Sequence, residues 1–449
     1  MTQKIRLLCQ LAGITMLLAA CAGESNFPTA SGSSTFRIVN AIPTSPSIAL
    51  LIEERSIAAA EYKGTSAPSE FDDLDYTFNF EAFLPGSAAR TRLASMFVDT
   101  QRDLAYTFLV SGDLATPTIT LWQQPLREWS ATATVFAVRF AHAADSLGAV
   151  DMYFQAPGVA PVLGEQVATV QFGEESPAVD LPAADYVLTV TTPNDPNDVL
   201  FRSTVIKPAV AAGYSVTLFA ADANDIDPIA VRLLADNGAE QRVVGENSTP
   251  LVRYFHATQN LATSDVYTDD MLMDQIIANH SYRDVTAELP LAAGSYTLTY
   301  TAAGNVGAIL LEDDIAAVQG TKYEYYALGE AGSLGGFLWQ PDRRPVETLA
   351  KFSFLHTATN HDTVDLYILS AGDDLAAASP RFVNLRIGSA PVNASLQAGD
   401  FELYLTPNGA KTVLAGPIAF SPALGDILNY LSYDNVDPAI ADVVAIPLP

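Results

Sequence analysis

The sequence predicts an all-β protein: four tandem antiparallel β-sandwich domains, immunoglobulin-like in outline, after a signal peptide and a flexible tether. Two observations support this fold class. One opening motif recurs four times along the 449 residues. Each copy is followed by short alternating strands rich in Val, Thr, Tyr and Phe, with turn signals of Gly, Pro, Asn and Asp between them. No repeat contains a convincing amphipathic helix.

The N-terminus predicts export. Lys4 and Arg6 precede an apolar run over 7–20, which is shorter than the roughly 20 residues that a membrane-spanning helix needs. A charged start, a short apolar core and a small-residue end are typical of a secretory signal. We therefore predict a signal peptide over 1–20.

Cys21 is the candidate lipidation site. It ends the sequence Leu-Ala-Ala-Cys, which resembles the lipobox of bacterial lipoproteins. That resemblance implies cleavage before Cys21 and attachment of acyl chains, such as palmitate, to this residue. The alternative is an ordinary signal peptide that happens to contain a cysteine. An aspartate directly after the cysteine would resemble an inner-membrane retention signal. This chain has Ala22 there, which favours the outer membrane. The polar stretch that completes 21–35 predicts a flexible tether.

The repeated motif opens each predicted domain, and its fourth positions are Asn40, His142, His256 and His356, at intervals of 102, 114 and 100 residues. In the last three copies an aspartate follows nine residues later and a tyrosine two residues after that: Asp151 and Tyr153, Asp265 and Tyr267, Asp365 and Tyr367. The first copy has Ala49 and Leu51 there. The spacing predicts β-sandwiches over 36–128, 136–236, 250–342 and 350–449, called units one to four below.

The second copy, Arg-Phe-Ala-His-Ala followed by Val-Asp-Met-Tyr and later by Ala-Asp-Tyr, resembles domain-of-unknown-function family 4397. This family is a β-sandwich repeat of bacterial secreted proteins and lipoproteins, often in tandem. The resemblance covers nearly all of the mature chain and implies the same fold. It implies no catalytic residue, because the family carries no established activity.

The four units form two similar pairs. Trp122 ends unit one and Trp339 ends unit three within Leu-Trp-Gln sequences, whereas units two and four share an Asp-Pro turn at 227–228 and 437–438. The intervals from unit one to three and from two to four are 216 and 214 residues. We infer a duplicated two-domain block with similar one–two and three–four joints. The polar stretch 237–250 is predicted to be the hinge.

The charge balance excludes several partners. The chain has 23 basic and 51 acidic residues, a net charge of −28, and loss of Lys4 and Arg6 leaves 21 basic residues and −30. Such a surface is unsuited to nucleic acid phosphates and to anionic lipid headgroups, although it leaves calcium binding open. Because Cys9 lies in the signal peptide, Cys21 is the only cysteine of the mature chain, which excludes a disulfide framework.

Three groups of residues are candidates for binding. The repeated histidines are either ligands for a metal such as zinc or, as we prefer, structural residues that tie down the next loop, with the aspartates as candidate partners. The acidic loop Asp222–Asp227 resembles a calcium loop but lacks its glycine and final glutamate. Trp122, Trp129 and Trp339 either stack on sugars or are buried at domain joints.

Catalytic motifs are missing from the sequence. Gly-x-Ser-x-Gly, His-Glu-x-x-His and phosphate loops are absent, and Gly332-Ser333-Leu334-Gly335 is typical of a turn. We therefore predict no catalytic residue, cofactor or metal, and leave the ligand-binding residues unassigned. The predicted function is a non-catalytic envelope lipoprotein, anchored by its lipid on the periplasmic or surface face of the outer membrane, that presents its sandwiches to an envelope protein or glycan. The alternative is an envelope enzyme or enzyme subunit with a site in an inter-domain cleft.

Overall fold

The computed structural model describes residues 29–269, 271–330 and 332–449. Within these residues the chain forms 33 β-strands and no α-helix, and no helix there is long and apolar enough to cross a membrane. The predicted signal peptide, the lipidation site Cys21 and most of the predicted tether lie outside the described residues.

The strands divide into four consecutive sandwiches of two sheets each. Unit one comprises β1 Ser33–Asn40, β2 Ile48–Ile52, β3 Arg55–Ala60, β4 Ser69–Asp72, β5 Asp75–Phe83, β6 Arg90–Asp99, β7 Leu104–Asp113 and β8 Thr116–Pro125. Unit two comprises β9 Val135–Ala143, β10 Val150–Gln155, β11 Ala168–Val170, β12 Val179–Pro182, β13 Val187–Thr191, β14 Val199–Arg202, β15 Gly213–Ala220, β16 Ile229–Ala235 and β17 Glu240–Val243.

The second half of the chain repeats this order. Unit three comprises β18 Leu251–His256, β19 Ser264–Tyr267, β20 Gln275–His280, β21 Leu289–Pro290, β22 Gly294–Ala302, β23 Asn305–Ala317, β24 Lys322–Glu330 and β25 Ser333–Trp339. Unit four comprises β26 Ala350–His356, β27 Thr363–Ser370, β28 Phe382–Arg386, β29 Val392–Leu396, β30 Phe401–Pro407, β31 Ala415–Phe420, β32 Ile427–Asp434 and β33 Ala441–Ile446.

All four units share one topology. In unit one the sheets have the strand orders β4-β1-β7-β8 and β3-β2-β5-β6, and the other units follow the same plan. The predicted fold class of tandem β-sandwiches is confirmed. It was incomplete in one respect: the first strand of every unit pairs in parallel with the seventh, as in the β1–β7 register Ile38↔Phe108.

Each sandwich encloses its own apolar core, and the opening strand of each unit is buried on both faces. In β1, Phe36 and Ile38 point into the core of unit one, whereas Val39 lies in a second apolar cluster shared with unit two. In β9, Phe140 belongs to the core of unit two and Ala141 to the shared cluster. Strands buried on both faces need nearly continuous apolar sequence, which explains the runs that open the repeats.

The stretch 237–250, predicted as the hinge linking units two and three, is only partly a linker. Its residues Glu240–Val243 form β17, which pairs antiparallel with β16 and extends the sheet of unit two to five strands. Val243 is buried in the core of that unit. The polar composition of the stretch concealed this single apolar anchor, so the prediction of a linker was wrong for these four residues.

Candidate functional site

The repeated histidines fasten the loop that follows the opening strand. His142 is fully buried; its Nδ1 accepts a hydrogen bond from the Ala144 backbone N–H at 3.2 Å, so its Nε2–H donates to the Gly148 carbonyl at 2.9 Å. His256 and His356 bond in the same way through Nε2 to the carbonyls of Ala262 and His361. The structural interpretation is confirmed for the loop, but the bonds go to backbone groups and not to the aspartates.

Asn40 performs this task in unit one. Its Oδ1 accepts from the Ile42 backbone N–H at 3.1 Å, and its Nδ2 donates to the Pro46 carbonyl at 3.4 Å. These partners lie two and six residues further along the chain, as they do for His142. The first copy of the motif therefore departs from the others in residue type and keeps the same geometry.

The repeated aspartates hold turns of the second sheet. Asp265 accepts from the backbone N–H groups of Asn279 and Gly304, at 2.9 and 2.8 Å. Asp365 binds the equivalent N–H groups of Asn384 and Gly409 at 2.8 and 2.9 Å. In unit two, Asp151 accepts from the Thr169 hydroxyl and the Asn194 N–H. These residues are structural supports within each sandwich.

His280 is a buried histidine that the repeat pattern did not reveal. It lies beside His256 with ring centroids 5.5 Å apart, and burial lowers the pKa of His280 to about 4. Burial also lowers the pKa of His356 to about 4. The neutral imidazole is therefore favoured at each of these sites. Within the described ranges no group of three His, Cys, Asp or Glu side chains is placed to hold a metal ion.

The acidic loop of unit two binds a lysine from unit one. Lys63 Nζ lies 2.8 Å from Asp222 Oδ2 and 2.5 Å from Asp225 Oδ2, and all three side chains are almost fully buried. Asp227 turns away and accepts from the Gly245 N–H and the Ser248 hydroxyl. The carboxylates that resembled calcium ligands are thus compensated by an ammonium group of the neighbouring domain.

Lys63 also has an unusual backbone. It adopts φ = 63°, and Arg283 adopts φ = 73° at the equivalent turn of unit three, whereas units two and four have Gly173 and Gly388 at this turn. A left-handed conformation costs a non-glycine residue roughly 1–2 kcal/mol. Only the leading unit of each pair carries this cost, and only there does the side chain reach the next unit: Arg283 forms an ion pair with Asp442 of unit four.

Further contacts across the two joints correspond position by position. Arg37 Nη1 donates to the Ala235 carbonyl at 3.0 Å, and Arg253 Nη1 donates to the Pro447 carbonyl at 2.7 Å. The Tyr62 hydroxyl donates to the Ala220 carbonyl, and that of Tyr282 donates to the Asp434 carbonyl. The β-sheet registers place each of these pairs at equivalent positions, which confirms the predicted likeness of the joints.

The tryptophans at the ends of units one and three lie at these joints. Trp122 is buried in the apolar cluster between units one and two, and its Nε1–H donates to the Gly173 carbonyl at 2.8 Å. Trp339 packs against the corresponding cluster between units three and four. Burial at the joint is confirmed for Trp122, whereas Trp339 lies at its joint and is only partly buried. Trp129 differs, because it lines a cleft.

The two pairs are also tied to each other. Arg344, in the segment between units three and four, donates to the carbonyls of Pro43 and Ser45 in unit one at 3.0 and 2.8 Å. The Arg343 backbone N–H donates to Asn224 of unit two. The Gln319 amide of unit three donates to the Gly245 carbonyl at 2.8 Å. The prediction of a hinge at 237–250 did not include these contacts between the pairs.

A concave site lies beside the one–two joint. This cleft has a volume of about 630 Å³ and is lined from both units, by Gln124, Trp129, Tyr214, Asp236, Glu240 and Gln241 among others. The Arg127 guanidinium stacks on the Trp129 ring at 3.9 Å and pairs with Asp180 of unit two. This arrangement holds the indole in the lining of the cleft.

Comparison with known proteins gives one family. Residues 34–153 and 250–367 match the sequence model described as "Domain of unknown function (DUF4397)". No curated protein matches the chain. Among solved structures, the Bacillus anthracis TIE protein is similar at 9% identity, over 90% of this chain and 75% of that one, with a TM-score of 0.16. That score is too low to support a structural argument.

Proposed function

Given that the chain belongs to the DUF4397 family of domains of unknown function, we propose that it is a non-catalytic, lipid-anchored protein of the bacterial outer membrane whose four sandwiches form one rigid binding platform. The two matched ranges begin 216 and end 214 residues apart. Each runs from the first strand of a leading unit to the tyrosine of the trailing unit's motif, so the family match itself follows the two-unit period.

One observation carries the proposal: the contacts between paired units are buried like those of a domain core and are not flexible linkers. Trp122 is buried between units one and two, and the ion pairs of Lys63 with Asp222 and Asp225 are shielded from water. An isolated surface ion pair contributes little to stability, whereas a buried pair is strongly destabilising when one partner is lost. Such joints hold neighbouring units at fixed angles, which suits a platform that presents surfaces to a partner.

The ionisable groups of the cleft support a binding role over an enzymatic one. The Asp236 carboxylate is paired with Arg139 at 2.5 Å, and Glu240 accepts from the Thr65 backbone N–H. A general base or nucleophile must be able to exchange a proton with its substrate. Carboxylates already engaged by the protein are better suited to shaping a site than to proton transfer.

Anchoring and binding are tested separately. The native chain in its own host is expected in the outer-membrane fraction with a mature N-terminus at Cys21, and Cys21→Ser is expected to release it from the membrane. A mature N-terminus mapped elsewhere by mass spectrometry would contradict the anchor. Binding is tested by capturing envelope components on the lipid-free mature chain; hydrolysis of any captured component by the chain would contradict the non-catalytic role.

A further inference from the structure

The cleft between units one and two has the chemistry of a site for an uncharged ligand. Its arginines are committed elsewhere: Arg37 donates to the Thr107 hydroxyl at 2.8 Å and to the Ala235 carbonyl at 3.0 Å, and Arg127 pairs with Asp180. Its acids, Asp236 and Glu240, are engaged as described above. Each of these charged groups thus already has a partner within the described chain.

The neutral groups of the cleft remain available. The Gln124 Oε1 atom is buried and has no hydrogen-bond partner within the described chain. Buried acceptors in proteins are normally satisfied, so this unpartnered oxygen would gain a bond if the Gln124 side chain turned toward a ligand hydroxyl group in the cleft. Gln241, on the exposed face of β17, adds a side-chain amide on the other side of the cleft. An amide both donates and accepts, as a hydroxyl does.

The apolar part of the lining has a distinct shape. Small side chains, those of Ala105, Ala211 and Ala239, leave open surface between the two units. The half-buried indole of Trp129 stands beside them, held by Arg127 at 3.9 Å from the ring centroid. Aromatic rings of this kind offer one apolar surface next to polar groups. A sugar ring is complementary, because it has a C–H face and a rim of hydroxyl groups.

We propose that this cleft binds a neutral oligosaccharide, with a sugar face against Trp129 and sugar hydroxyl groups on the amides of Gln124 and Gln241. This inference rests on the proposed binding function and names its ligand class. The volume of about 630 Å³ lies within the range of roughly 300–1,000 Å³ that is usual for small-ligand sites. A protein partner instead needs on the order of 800 Å² of surface on each side.

The test uses the lipid-free mature chain and isothermal titration with neutral tetrasaccharides of glucose, mannose, galactose and N-acetylglucosamine. At least one is expected to bind with a Kd below about 1 mM. Trp129→Ala is expected to weaken that binding about tenfold, which is about 1.4 kcal/mol of binding free energy, because it removes the aromatic face against which the sugar packs. Trp129→Phe should retain part of it, and Gln124→Leu should weaken it as well.

Phe97→Ala provides the matched control, because Phe97 is 66% exposed on β6 and does not line the cleft; its binding should equal that of the unaltered chain. The proposal is overturned if no neutral tetrasaccharide binds up to about 10 mM, if Trp129→Ala binds as tightly as Phe97→Ala, or if a sulfated heparin fragment binds more tightly than every neutral sugar. Failure of this test leaves the platform proposal standing if envelope capture by the same chain is unaffected by Trp129→Ala.

Discussion

Lys63→Met is expected to weaken the one–two joint far more than removal of any exposed lysine. Lys63 Nζ compensates Asp222 and Asp225 at 2.8 and 2.5 Å, with the three side chains only 5–6% exposed. Methionine keeps the length and apolar character of the side chain but leaves two buried carboxylates with only the longer ion pair from Arg242, whose Nη2 lies 3.8 Å from Asp225 Oδ1. Breaking a buried pair from one side costs about 3–5 kcal/mol.

The matched control is Lys207→Met. Lys207 lies 3.4 Å from Asp185, but their side chains are 73% and 50% exposed, so this change should cost less than about 1 kcal/mol. Lys63→Gly distinguishes the backbone effect from the effect of the charge. It removes the ion pairs, as Lys63→Met does, but it also relieves the strain of the left-handed φ of 63°. It should therefore reduce stability by about 1 kcal/mol less than Lys63→Met.

The assay is hydrogen exchange followed by mass spectrometry in increasing urea on the full lipid-free chain, because a four-unit protein does not unfold in one step. Peptides from β1 and β15, which lie on either side of the joint, report the loss of protection. Equal shifts for Lys63→Met and Lys207→Met would refute the conclusion that the buried pair holds the joint.

Three further outcomes are expected from the same assay. His142→Ala should destabilise unit two by about 1–3 kcal/mol, because it leaves buried backbone groups without partners. His142→Asn should cost less stability, because Asn40 makes the same two bonds in unit one. Equal losses of stability for the two variants would contradict this equivalence. Unit four should lose up to about 3 kcal/mol of stability as the pH falls from 6.5 to 4. Burial holds the pKa of His356 at about 4 in the folded chain, whereas the unfolded chain takes up the proton at a higher pH. A His356→Asn variant that keeps this pH dependence would exclude His356 as its source. Trp122→Phe should destabilise units one and two together, through the lost bond to the Gly173 carbonyl, and exchange that changes in unit one alone would count against a shared joint.

Patterns in the sequence were sufficient to predict the fold class and the repeated histidines that fasten the loop after each opening strand. The recurring opening motif and the short alternating strands after it marked the sandwiches, and the recurrence of His142, His256 and His356 marked equivalent positions. A pattern that returns at a fixed interval with the same neighbours reflects the same local geometry. The inferred pairing of units was recoverable for the same reason.

Contacts between distant parts of the chain were not predictable in this way. The parallel pairing of β1 with β7 joins residues about 70 positions apart, and no residue type marks it. The ion pairs of Lys63 with Asp222 and Asp225 span about 160 positions, so the acidic loop looked like a metal site when its partner was unknown. The cleft is likewise formed only when the two units meet.

The leading and trailing units of a pair differ: the leading unit carries a basic residue, Lys63 or Arg283, where the trailing unit has Gly173 or Gly388. This difference, together with the apolar faces that the two units share, bears on how the chain can be divided or lengthened. A leading unit severed from its partner would expose Trp122 and Leu109 to water, and a severed trailing unit would expose Phe219 and Leu234. We therefore expect the smallest self-sufficient fragment to be a pair. An engineered chain with one extra unit would carry an orphan apolar face, whereas one with an extra pair would not.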